Sequence, residues 1–127
     1  MAEPVNVHRM IVRGRPFQIH VQAARGAHAA CCYRAWDDGR TLDVLRDRAA
    51  APIELIATSE QDAVRRARDF LTLAIQAITC DACGGVIVVQ CDIQRRQPEV
   101  SLVVTCRDCG RPHLTRLPGE IVRDDLG

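Results

Sequence analysis

The chain has 127 residues, 47% of them hydrophobic but only 3% aromatic, and a formal net charge of +1. That length suits one domain or two very small ones, built on an aliphatic core. A charge so near zero argues against a protein held to nucleic acid mainly by counterion release, which is normally far more basic.

No apolar run approaches the roughly 18–20 residues needed to cross a bilayer. Residues 1–15 lack the apolar centre of a signal peptide. The expectation is a cytoplasmic chain with no membrane segment. Its seven cysteines then suit free thiols and metal in a reducing compartment better than a disulfide framework.

In chain order, residues 7–13 and 17–23 read as strands. Phe17, Ile19, Val21 and Ala23 alternate with polar residues, the period of a half-buried strand. Gly14-Arg15-Pro16 between them predicts a hairpin turn. A third strand is expected over 29–36, closed by Asp37-Asp38-Gly39. In 40–52, Leu42, Leu45 and Ala49 have the spacing of one face of a short helix, with a loop as the alternative. Residues 53–57 suit a short fourth strand.

Ser59 can cap a helix whose first turn carries Glu60 and Asp62. Val64, Ala67, Leu71, Ala74, Ile75 and Ile78 recur at helical intervals, predicting an amphipathic helix to about Ile78 laid on the sheet. No Pro/Gly/Ser linker separates it from Cys80, so the two halves are expected to be mechanically coupled.

Cys80-Asp81-Ala82-Cys83-Gly84 and Cys106-Arg107-Asp108-Cys109-Gly110 carry the strongest chemical signal. Two intervening residues let a tight turn aim both sulfurs at one ion, and the glycine lets the backbone pass beneath it. Four thiolates complete a closed tetrahedral site. Buried thiols or disulfides are the bland reading, disfavoured by the repeated pattern. Residues 86–89 and 100–105 are strongly β-prone, and residues 94–98 between them suit the turn of a hairpin. Residues 111–117 suit a further strand, and 118–127 a tail or docking strand.

The two Cys-x-x-Cys-Gly knuckles, the aliphatic run between them and the strand after resemble the zinc-ribbon family over about the last third of the chain. The resemblance implies one structural Zn²⁺ on Cys80, Cys83, Cys106 and Cys109. It implies little about function, since zinc ribbons serve in transcription factors, ribosomal proteins, topoisomerases, chaperones and enzyme accessory subunits. No Phe, Tyr or Trp follows Cys80, unlike the aromatic core of rubredoxins. The first 79 residues also look loosely like the small β-β-β-α modules of double-stranded-RNA-binding and toxin–antitoxin proteins. They lack that RNA-binding kind's initial helix and the basic cluster at its last helix.

The other candidates are weighed against simpler roles. Cys91 is a fifth ligand or a small buried hydrophobe. Cys31 and Cys32, adjacent in a strand, face opposite ways. His113 could replace a ligand, but with four thiolates present a surface histidine is the simpler reading. No nucleophile–base pair, phosphate loop or paired carboxylates appears.

The sequence therefore predicts an α+β fold: a small antiparallel sheet with one long amphipathic helix over 1–79, then a zinc ribbon over 80–127. The expected role is a non-enzymatic zinc-binding adaptor or accessory subunit that binds another protein. The alternative is a nucleic-acid-binding regulator touching its partner through Arg95, Arg96, Arg107 and Arg111. An enzyme or redox protein ranks third.

Overall fold

A computed structural model of the chain describes residues 4–93 and 99–124. The fold separates into a first unit ending at Leu71 and a second beginning at Thr72.

The first unit is an antiparallel sheet. Strands β1 (Asn6–Val12), β2 (Arg15–Ala24) and β3 (Ala27–Ala35) form a meander. The far edge of β3 carries β4 (Leu42–Val44) and β5 (Glu54–Ala57) side by side. Both meander turns are two residues long, Arg13-Gly14 and Arg25-Gly26, with positive φ throughout. Such turns match the right-handed twist of the strands. The turn thus falls one residue earlier than Gly14-Arg15-Pro16.

Phe17, Ile19 and Val21 on β2 face inward beside Ala30, Cys32 and Arg34 on β3, and all are buried. Each large apolar member contributes on the order of 1.5–3 kcal/mol by leaving water. Helix α1 (Glu60–Ala74) covers this face. Glu60 accepts a hydrogen bond from Asn6 and stands 4.0 Å from His8 Nε2, both on inward positions of β1. Ala63, Ala67, Phe70 and Leu71 form its buried stripe. Ser59 caps the helix by accepting the Asp62 amide at 3.2 Å.

Two expectations fail here. Residues 40–52 hold no helix: β4 and an isolated bridge between Arg46 and Pro52 occupy them. Helix α1 stops at Ala74, and Ile75–Thr79 is strand β6. Ile75 and Ile78 fit helical spacing, but these β-branched residues pair with β7 (Val86–Asp92) instead.

In the second unit β7 lies between β6 and β10 (Glu120–Arg123). A separate two-stranded sheet pairs β8 (Glu99–Thr105) with β9 (Pro112–Pro118). Ile87, Val89, Cys91, Val104 and Leu117 form the core, with Cys80 and Cys106 in it. The expected hairpin of 86–89 with 100–105 is therefore absent. One edge of β7 is taken by β6 and the other, at residues 90–92, by β10, while β8 turns to β9.

The α+β expectation is corrected by this topology. The described residues hold ten strands, all antiparallel, against one helix of 15 residues. The fold is small and β-rich, and among the described residues no helix is long and apolar enough to cross a membrane.

Candidate metal centre

Each cysteine pair sits at the tip of its own hairpin. Thr79 pairs with Val86 below the first tip and Thr105 with Pro112 below the second. The tips have the same backbone. The Cys80 amide donates to Gly85 O at 2.8 Å, and the Cys106 amide to Arg111 O at 2.9 Å. The Gly84 and Gly110 amides return to Cys80 O and Cys106 O, both at 2.8 Å. Gly84 and Gly110 have φ of 76° and 75°. Ile78-Thr79-Cys80 and Val104-Thr105-Cys106 therefore begin two copies of one local structure, 26 positions apart. Sequence reading saw the knuckles but not that the flanking pairs repeat with them.

The tips bring all four sulfurs within 4.8 Å of one another. Cys80 Sγ lies 3.6 Å from Cys109 Sγ, and Cys83 Sγ 3.6 Å from Cys106 Sγ. A tetrahedral ion with metal–sulfur bonds of about 2.3 Å sets its sulfurs roughly 3.8 Å apart. The cluster thus fits a single four-coordinate ion. Cys80 and Cys106 are buried; Cys83 and Cys109 are exposed.

The thiols depend on one another. Burial pushes the Cys80 thiol up. Hydrogen bonds from the Cys83 and Ala82 amides, and from the Cys109 and Cys83 thiols, outweigh it and bring Cys80 to about 6. Cys83 accepts the Gly85 amide, which lowers it. Its hydrogen bonds to Cys106 and Cys80 prevail and leave it at about 12. At Cys109 the Arg111 amide lowers the thiol, but the bond to Cys80 raises it on balance. A bound cation would displace any protons the four sulfurs hold.

The remaining candidates lie apart from the sulfurs. Cys91 is buried in the core, where burial raises its thiol to about 11. Cys32 is buried and Cys31 partly exposed on the opposite face. Arg107 and Arg111 are exposed by the second tip, Arg107 Nη2 being 4.0 Å from Asp124. Arg95 and Arg96 lie outside the described residues.

Sequence reasoning missed His113. Its Nε2 lies 3.1 Å from Cys80 Sγ, and its Nδ1 3.7 Å from Asp81 Oδ1. The side chain is 14% exposed, not a surface group. Alternation along β9 carried the signal, since His113, Thr115 and Leu117 share the inward face.

Comparison with protein-family models, with curated proteins and with solved structures found no match.

Proposed function

We propose that this chain is a non-enzymatic, zinc-stabilised adaptor or accessory subunit that docks another protein. Zinc suits the centre because four thiolates satisfy it fully and it imposes no geometry of its own. Such a closed site leaves no position for water or substrate, so the ion's work is folding. The core around it is small, and structural zinc contributes about 10–16 kcal/mol of apparent binding in peptide models.

One observation carries the docking reading. Val103 and Leu114 are cross-strand partners on the outer face of β8 and β9, 66% and 79% exposed. An adjacent apolar pair is costly to leave in water and suits a partner's apolar surface. Among the described residues these two strands pair only with each other, so their edges suit strand addition.

The test is affinity capture from the native cell with wild type and with a Val103→Asp, Leu114→Asp double variant of unchanged metal content. A partner retained by wild type and lost by the double variant supports the reading. Identical partners for both, or none, overturns it. Salt-sensitive nucleic-acid binding lost in Arg107→Ala, Arg111→Ala would favour the regulator instead.

A further inference from the structure

We infer that His113 is an outer-sphere donor to the metal-bound Cys80 thiolate, a positioning residue that makes the two knuckles unequal and sets the order in which they release the ion. The inference rests on the four-thiolate zinc reading. A metal-bound thiolate has no hydrogen to give. The 3.1 Å contact between His113 Nε2 and Cys80 Sγ is then a hydrogen bond in which Nε2–H donates. Asp81 Oδ1 faces the other ring nitrogen at 3.7 Å. Asp81 and Cys80 belong to the first knuckle, whereas His113 belongs to the second hairpin. One hairpin's imidazole is thus held by the other hairpin's knuckle.

The repeat shows what is unequal. Val104 and His113 are register partners below the second tip, and Ile78 and Ile87 hold the matching places below the first. Ile87 has no hydrogen to donate. Cys80 and Cys106 are equally buried, each 1% exposed. His113 supplies Cys80 with a side-chain donor that the matching Ile87 cannot supply to Cys106. Such a bond spreads the sulfur's charge, lowers its reactivity and holds it in place. Cys106 is therefore the buried ligand that opens first, and Cys80 the last to leave.

Two variants of the full chain separate donation from packing. His113→Gln keeps an N–H donor, and His113→Phe keeps only bulk. Zinc protein is exposed to a limiting chelator and iodoacetamide, whose iodide the freed thiolate displaces, and each cysteine is followed by mass spectrometry. In wild type, Cys106 is alkylated before Cys80. In His113→Phe, zinc release is faster by about 10-fold or more, the usual loss when such a partner is removed, and Cys80 reacts as early as Cys106. His113→Gln restores most of the difference. Should His113→Phe fail to fold, ¹¹³Cd-loaded wild type decides the matter through a spin coupling between the ion and the His113 Nε2 hydrogen. Equal reactivity of Cys80 and Cys106 in wild type, unchanged release in His113→Phe, Nε2 without hydrogen, or a nitrogen ligand to the ion overturns the inference. Protein that purifies without metal fails at the earlier step, the zinc reading itself.

Discussion

Cys83 Sγ stands 3.6 Å from Cys106 Sγ although the two residues belong to different hairpins. The two hairpin tips meet at their sulfurs, where a bound cation would hold them together. Chelation is therefore expected to cost the second unit its fixed packing, because Cys80 and Cys106 belong to its core. Amide spectra with and without chelator check this: signals from Thr72 onward should lose dispersion. Cys106→Ser should weaken metal binding by at least about 100-fold, the loss of one of four ligands exceeding that of an outer-shell partner.

Thiol reactivity should sort by burial. In the native, metal-loaded protein, Cys31 is partly exposed, but burial and the Glu54 charge raise its thiol, so it reacts slowly with a thiol reagent, while Cys32 and Cys91 stay silent until denaturant is added. Chelation should then release five more, the four ligands and Cys91, whose core loses its packing with the ion. A fast signal from Cys91 in the loaded protein would contradict its place in the core.

Cys32 predicts an alkaline weakness. Burial, and then the charge of Cys31, raise its thiol from 9.0 to about 12. Above pH 9 the unfolded thiol ionises while the folded one cannot, so this contribution is complete below pH 9 and is lost as pH rises towards 12. Urea midpoints should fall over that range. Cys32→Ala should be less stable at pH 7 by about 1 kcal/mol of lost packing, yet show a flatter pH dependence.

Gly119 and Gly84 should respond differently to alanine. Both have positive φ, at 71° and 76°. A Cβ on Gly84 meets nothing within 4 Å, whereas one on Gly119 lies 1.9 Å from the Asp92 carbonyl oxygen. Gly84→Ala should cost about 1 kcal/mol, the left-handed penalty alone. Gly119→Ala must also move backbone, and about 3 kcal/mol or more is expected, the range of strained core changes. Denaturant unfolding of the loaded protein measures both.

The cap on α1 gives a smaller test. Ser59→Ala removes the acceptor of the Asp62 amide. The expected loss is about 1 kcal/mol, read from the urea midpoint. A stability equal to wild type would mean that water replaces the cap.

The knuckles were legible because a metal site is local: spacing and glycine fix it whatever surrounds it. The first meander was legible because Phe17, Ile19 and Val21 alternate on a half-covered sheet. The end of α1 was not, since Ile75 and Ile78 satisfy the helical period and the β-prone composition at once. Only the pairing of Ile75 with Gln90 and Ile78 with Ile87 decides between them. Nor could sequence order show that β7 takes β6 and β10 as neighbours, because adjacent β-prone runs invite a hairpin. His113 was passed over for a related reason. Its role depends on a sulfur 33 positions away, which only the facing of two hairpins reveals.

Gly119 carries the chain from β9 straight into β10, which pairs with β7. The neighbours of β7 are thus, among the described residues, the earliest and the latest strands of its unit. On the ribosome, the edge of β7 at residues 90–92 would emerge bare and stay so until Ile121 had cleared the exit tunnel. Domains generally fold as units during synthesis, and this one must wait for its last strand. Until then the open edge at residues 90–92 and at least two thiols stand exposed to the cell's chaperones and its free zinc.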